Sequence, residues 1–461
     1  MSDSYNKFVD DSEKKAFDKV HRATLAFNIS RYDAAVVKGK QQYANLELAR
    51  ERAAHIKYKV TTELAKYLVD FEASFQSRGG KVIWAQDASE AISEILKIMK
   101  RQQAKHVVKS KTMVTEEIAL NEHLEKAGIE TLETDLGEYI VQQAGEKPYH
   151  IVTPAMHKSK EEVAGLFTEK FGLPAGSTPQ QITSYVRGLL RDKFFNADIG
   201  ITGANFLVAD VGAVCLTENE GNALMSMSFP KVHIVVAGIE KIIPKLRDLD
   251  LFWPLLATYG TGQNITVYNS IVTGPRQENE NDGPDEMYVV LLDNNRTELL
   301  GRKNQRRALG CIRCGACLNV CPVYKSIGGH AYGTTYSGPI GSVITPWMRG
   351  MKDYKHLSFA SSLCGACTEV CPVKINLHEL LLYNRNDSVK EGLASRFDKT
   401  LMYAYKTSMG KRKYIDMMSG KTKNKVLKKF FAASWGPHRE LPQVAAKSFK
   451  ELWEERREGK K

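Results

Sequence analysis

The chain has 461 residues and a net charge of +12, with 43% hydrophobic and 26% charged residues. That length allows two or three domains with their own cores, and the composition excludes a disordered or fibrous protein. The most hydrophobic stretch, Val232 to Ile243, is interrupted by Glu240 and Lys241 and is too short to span a bilayer. The polar N-terminus carries no secretory signal, so a cytoplasmic chain with reduced thiols is expected, reaching a membrane only through a partner. Charge is uneven: residues 401–461 hold 16 Lys/Arg against 6 Asp/Glu, which is +10 of the total. No zinc-finger, helix-turn-helix or RNP signature accompanies these basic residues. A solvated helical surface or a docking face for an acidic partner is therefore expected, and no nucleic acid.

In chain order, residues 8 to about 77 read as a helical arm, with Phe17, Val20, Leu25, Phe27, Tyr43, Leu46 and Leu48 spaced between charges and no proline. From Gly79 the pattern alternates between strands and helices. Strands are expected at Lys81–Ala85, His106–Lys109 and Ile129–Leu132, with helices from Asp87 and from Thr115 to Ala127, where Gly128 is placed to stop the second. Further strands are expected at Tyr149–Val152, Ala213–Thr217, Val232–Val236, Ile265–Tyr268 and Tyr288–Leu292. Helices are expected at Lys160–Phe171 and Thr178–Phe194, and Gln277 to Glu286 reads as a polar loop. Repeated βα units of this length imply a mostly parallel sheet covered by helices. Cys215 lies among apolar neighbours and reads as a buried core residue. Gly200-Ile-Thr-Gly203, Gly260-Thr-Gly262 and Gly420-Lys-Thr422 each fall short of a nucleotide-binding pattern and read as turns.

Residues 296–310, with Arg302, Lys303, Arg306 and Arg307, read as a basic linker into the segment where seven of the eight cysteines lie. The first run, Cys311-x2-Cys314-x2-Cys317-x3-Cys321-Pro322, has the spacing of bacterial ferredoxins. The second is Cys364-x2-Cys367-x3-Cys371-Pro372, with Ser361 where a leading cysteine would stand. In two-cluster ferredoxins the fourth cysteine of each run completes the other run's cluster. Cys311, Cys314, Cys317 and Cys371 are thus expected to hold one [4Fe-4S] cluster, and Cys321, Cys364 and Cys367 a second. A serine oxygen, a water, a small ligand or a missing iron, leaving [3Fe-4S], are the alternatives at its open corner. Structural zinc leaves the third cysteine and both Cys-Pro pairs unexplained. A disulfide framework does not suit such clustering in a chain without a secretory signal. Between the runs lies a glycine- and aromatic-rich loop, Gly328 to Gly341, suited to a tight connector or to donating N–H groups to cluster sulfurs. The tail from Ser388 reads as helical and basic, through Trp435-Gly-Pro437 and Phe449 to Trp453.

The segments Lys109 to Ile118, Glu133 to Tyr139, His150 to His157, Gly203-Ala-Asn205 and Asp210-Val-Gly212 resemble the lactate-utilization (LUD) domain. Joined to the cysteine runs, the Gly-Gly-His loop and the basic tail, the whole chain is similar to the lactate utilization protein B family. The resemblance implies an α/β LUD domain of the NagB/RpiA/CoA-transferase-like fold at 79–295. An N-terminal helical arm at 1–78 precedes it, and an α-helical ferredoxin-type 4Fe-4S domain at 296–387 and a helical basic tail at 388–461 follow. It also implies a non-catalytic electron carrier in the oxidation of L-lactate to pyruvate. The implied partners are a cysteine-rich heterodisulfide-reductase-like subunit and a second LUD protein. A rival reading has the LUD domain itself bind and oxidise a small 2-hydroxy acid, with Glu116, Glu117, Glu133, Asp135, Glu138 and His157 as its polar candidates; the plainer role for Glu133 and Asp135 is to cap strand ends and helices. A third reading, a redox-sensing nucleic-acid binder, would combine the basic tail with the clusters.

Overall fold

The computed structural model describes residues 2–436 and 439–459. They fall into two compact units, Met1–Ser388 and Val389–Lys461. In chain order the strands are β1 (Lys81–Ala85), β2 (His106–Lys109), β3 (Glu130–Glu133), β4 (Ile199–Thr202), β5 (Phe206–Val208), β6 (Ala213–Glu218), β7 (Val232–Gly238), β8 (Ile242–Ile243), β9 (Tyr268–Val272) and β10 (Glu286–Leu292). Six of them form one sheet in the order β1-β10-β7-β4-β2-β3, parallel throughout. A smaller four-stranded sheet, β8-β5-β6-β9, joins β5 to β6 and β6 to β9 antiparallel, and β5 to β8 parallel.

Side chains alternate across a strand, so the two faces of β7 and β10 build different cores. Ile234, Val236, Val290 and Leu292 pack with Ala91, Ile95, Ile98 and Met99 of the helix Ala88–Arg101. Val235, Ala237, Val289 and Leu291 pack instead with Leu207 and Val214 of the small sheet, and with Val60, Leu64, Phe71 and Phe75. Those last four belong to the arm, which is therefore a wall of the core. Burial on both faces explains why β7, His233 apart, is an apolar run. No helix among the described residues is long and apolar enough to cross a membrane.

Several local expectations are corrected. The arm is four helices, Asp3–Phe17, Lys19–Gly39, Leu46–Thr62 and Leu64–Gln76. Asp18 and Asn45 restart the chain by accepting the N–H groups of His21 and Leu48, each at 2.9 Å. The helix expected from Thr115 to Ala127 breaks into Met113–Glu117 and Leu120–Lys126 at Ala119, whose φ is +52°. Tyr149–Val152 is an irregular bend. His150 Nδ1 accepts the N–H groups of Val152 and Thr153 at 3.1 and 3.2 Å, taking donors a strand would have used.

Gly200-Ile-Thr-Gly203 is largely β4, a central strand. Its glycine is required because a Cβ at Gly200 would lie 1.7 Å from the Ser226 carbonyl oxygen. Gly260-Thr-Gly262 ends the helix Leu249–Thr261, with Gly262 in the left-handed cap position. Gly420 opens the helix Gly420–Trp435, where Ser419 accepts the Thr422 N–H. The strand expected at Ile265–Tyr268 lies later, at β9. The basic linker holds a helix, Arg296–Gly301, and Arg296 itself is fully buried. The end of the glycine-rich loop starts the helix Gly338–Met348, buried at every position. The second unit carries the helices Arg396–Gly410, Gly420–Trp435 and Phe449–Arg457. Pro437 lies outside the described residues.

Candidate metal centre

The two cysteine runs share one backbone conformation. Arg313 and Gly315 have φ of +61° and +79°, and the matching Leu363 and Gly365 have +55° and +83°. Each pair leads into one turn of helix, Ala316–Asn319 or Ala366–Glu369. Gly315 also leaves no room for a side chain, since a Cβ would meet His150 Cε1 and Val152 Cγ2 at 3.1 Å. This winding points successive cysteine side chains inward around a common centre. Cys321 then ends the first run, and Pro322 opens the helix Pro322–Ile327.

The sulfurs gather in two groups. Cys311, Cys314, Cys317 and Cys371 line one cavity, walled by apolar residues such as Ile151, Ile312, Ile340 and Leu377. Burial, together with the neighbouring Cys311 and Cys371 sulfurs, pushes the Cys314 thiol up, and Cys317 is raised in the same way. Burial likewise pushes Cys371 up to about 11. Backbone N–H groups face this set: Arg313 N–H lies 3.4 Å from Cys311 Sγ and Ile375 N–H 3.3 Å from Cys371 Sγ.

The second group is Cys321, Cys364 and Cys367. Burial, then Cys321 and Cys364, push the Cys367 thiol up to about 11, whereas Cys364 is exposed. Three residues before Cys364, where the first run has its leading cysteine, Ser361 Oγ accepts the Leu363 N–H at 3.1 Å. Cys317 is also raised by Cys367, so the two groups are neighbours. Bare thiolates packed this way would repel one another in a low dielectric. A soft, positively charged centre relieves that repulsion, and the all-sulfur donors with N–H groups beside them suit iron–sulfur ligation.

A buried ion network ties the first run to the parallel sheet. Glu240, just after β7, lies 2.6 Å from Arg296 Nε and 3.3 Å from Arg313 Nη2. Arg296 reaches on to Glu117 at 2.8 Å, which accepts the Tyr336 hydroxyl at 2.6 Å. Burial opposes the Glu240 charge, but the two guanidiniums outweigh it and hold the carboxyl down at about 2. Lys57, from the arm, donates to the Glu240 carbonyl at 2.7 Å, and burial pushes its ammonium down to about 8. The arm grips the second run as well. Arg50 Nη2 donates to the Glu369 and Cys371 carbonyls at 2.6 and 3.0 Å, and Lys374 pairs with Glu47 at 2.5 Å and Glu51 at 3.2 Å.

Three of the six polar residues of the α/β domain gather around Lys109, and the other three lie apart from that group. Glu133 and Glu116 meet Lys109 Nζ at 2.7 and 3.3 Å, with Glu138 buried beside them. Burial, then Glu133, raise the Glu138 carboxyl well above its ordinary range. Asp135 caps the helix Leu136–Gln143 by accepting the Glu138 N–H at 3.0 Å. Glu117 belongs to the Arg296 network. His157 bonds Glu146 at 2.6 Å and stacks on Tyr149 with ring centroids 4.5 Å apart; burial pushes it down to about 4. Sequence reasoning missed Lys109, the hub of the Glu116, Glu133 and Glu138 group, and Glu240. A lone Glu-Lys pair inside an otherwise apolar stretch was the available signal for the second.

Residues 68–292 match the LUD domain model and residues 307–375 the 4Fe-4S dicluster domain model. The chain is 42% identical to lactate utilization protein B of Bacillus cereus (strain AH820) over 470 aligned positions, covering 100% of this chain and 99% of the relative. The same identity and coverage hold for lactate utilization protein B of Bacillus thuringiensis (strain Al Hakam). A crystal structure of a DUF162 family protein from Deinococcus radiodurans overlaps 50% of this chain and 98% of its own at 15% identity. Its TM-score of 0.26 is too low to bear on the fold. This chain belongs to the lactate utilization protein B family, with an LUD domain joined to a 4Fe-4S dicluster domain.

Proposed function

We propose that this chain is a cytoplasmic iron–sulfur electron-transfer subunit of a system that oxidises L-lactate to pyruvate and so allows lactate to serve as a carbon source. The observation that carries the reading is the gathering of seven thiols into two adjacent groups. In this reading Cys311, Cys314, Cys317 and Cys371 hold one [4Fe-4S] cluster, and Cys321, Cys364 and Cys367 hold the second. Each bound cluster would take and pass single electrons, so two together suit a donor that releases two. The protein's own part is positional. The apolar wall of Ile151, Ile312 and Ile340 keeps water from the first group, N–H groups of Arg313 and Ile375 face its sulfurs, and the Glu240 network fixes the run against the sheet. The partners in this proposal are a cysteine-rich heterodisulfide-reductase-like subunit and a second LUD protein. The kinship of the LUD sheet to the NagB/RpiA/CoA-transferase fold belongs to the same proposal.

The test is reconstitution under anaerobic conditions. Purified alone, the chain is expected to carry about seven to eight irons and to show no lactate-dependent reduction of an artificial acceptor. Activity is expected once the partner subunits are added. Turnover by the isolated chain would overturn the carrier reading in favour of an LUD domain that oxidises its own substrate. Stoichiometric zinc with little iron would overturn the cluster reading.

A further inference from the structure

The second sulfur group has three cysteines where the first has four. We infer that Ser361 is the fourth protein ligand of the second cluster, binding iron through Oγ; this rests on the two-cluster reading above. The two runs are conformational repeats, with Arg313 and Leu363 at φ of +61° and +55° and Gly315 and Gly365 at +79° and +83°. Within that repeat Ser361 occupies the place of Cys311. The correspondence extends to the side-chain atom. Arg313 N–H, two residues on, faces Cys311 Sγ at 3.4 Å, and Leu363 N–H, two residues on, donates to Ser361 Oγ at 3.1 Å. The serine oxygen thus receives the backbone hydrogen bond that the leading thiol of a cysteine run receives.

The position is also held in place. Arg385 Nη2 donates to the Ser361 carbonyl at 3.2 Å, Arg385 Nε donates to the Ser358 carbonyl at 2.9 Å, and Ser361 N–H donates to the Phe359 carbonyl at 2.9 Å. A serine whose only role was to be polar at a surface would need no such fixing. Coordination would release the hydroxyl proton to solvent as the Oγ–iron bond forms, with no change in oxidation state. The Leu363 N–H then becomes a charge-assisted donor to the alkoxide, which favours the deprotonated form. Oxygen is a harder donor than sulfur, so this corner binds iron less firmly than a thiolate would, while still filling it.

The experiment compares the full-length chain with Ser361→Ala and Ser361→Cys, all purified anaerobically. Iron content, EPR and the midpoint potential of each cluster are measured. The first cluster's signal serves as the internal control for folding. The wild type is expected to hold about eight irons. Ser361→Ala is expected to lose roughly one of them and to show a [3Fe-4S] signal in the oxidised state. Ser361→Cys is expected to keep them all and to shift the potential of the second cluster alone. If Ser361→Ala retains the wild-type iron content, spectrum and second-cluster potential, the corner is filled by water or stays open, and the assignment to Ser361 is wrong. Zinc or no metal in the wild type would overturn the two-cluster reading itself, a result distinct from the first.

Discussion

Replacing Glu240 by Gln removes the anion that touches both Arg296 and Arg313 while keeping the shape of the side chain. Four cations crowd this point, Arg296 and Lys57 buried and Arg313 and Lys241 half-buried, and desolvation, then Arg313, push the Lys241 ammonium down to about 8. Arg296 keeps Glu117 at 2.8 Å, but Arg313 is left with its Tyr336 ring contact at 4.4 Å. The fall of the Glu240 carboxyl from 4.5 to about 2 on folding corresponds to roughly 3 kcal/mol. Breaking one side of a buried ion pair costs about 3–5 kcal/mol, which agrees. Over a unit of this size that is a Tm lower by roughly 3–4 °C. Because the folded value lies below the unfolded one, the stabilisation is complete above pH 4.5 and is lost as pH falls toward 2. Urea and thermal unfolding of the wild type and Glu240→Gln at neutral pH, followed by tryptophan fluorescence, measure the loss. A difference under about 1 kcal/mol would refute the reasoning, because the network would then be contributing no more than a surface pair does.

The crossed assignment predicts that Cys371→Ala damages the same EPR signal as Cys311→Ala, although the two residues lie in different runs. Cys321→Ala should instead remove the signal that Cys364→Ala removes; a pairing of Cys371 with Cys364 would mean that each run binds its own cluster. Cys215 is fully buried, and burial pushes its thiol up to about 12. It should therefore resist alkylation in the native protein and react only in denaturant, as mass mapping of the labelled chain would show.

What sequence conveyed well was local. The cysteine spacing fixes which thiols sit on one turn of chain, and the helices Lys160–Phe171 and Ala88–Arg101 announce themselves through caps and periodicity. β7 and β10 were legible because burial on both faces leaves runs that are apolar but for His233 and the opening Glu286. β4 was not, because its Gly200 answers to the Ser226 carbonyl, a neighbour distant in sequence. β5 and β8 are only three and two residues long, too short for any periodicity. The bend at Tyr149–Val152 reads as a strand until one knows that a histidine ring has claimed its N–H groups. Lys109 and Glu240 carry charges whose partners come from other elements, and a charge pattern read along one segment cannot supply them. The rival polar candidates divided for the same reason: Glu116, Glu133 and Glu138 answer to Lys109, Glu117 to Arg296 and His157 to Glu146.

The grip of Arg50 and Lys57 on the second half of this unit bears on how the chain is made. Arg50 bonds the Cys371 carbonyl across 321 positions, and Lys57 bonds the Glu240 carbonyl across 183. On the ribosome the helix Leu46–Thr62 emerges long before the second cysteine run exists. It must wait with Val60 uncovered and its cations unmatched, because contacts of such separation close slowly. The first sulfur group cannot assemble until Cys371 has left the exit tunnel, nor the second until Cys367 has, so maturation of this centre comes late in synthesis. A nascent chain stalled before residue 371 would present unprotected thiols and an exposed helix face together. Timing of release, and the reducing state of the cell at that moment, thus become part of the route to the folded protein.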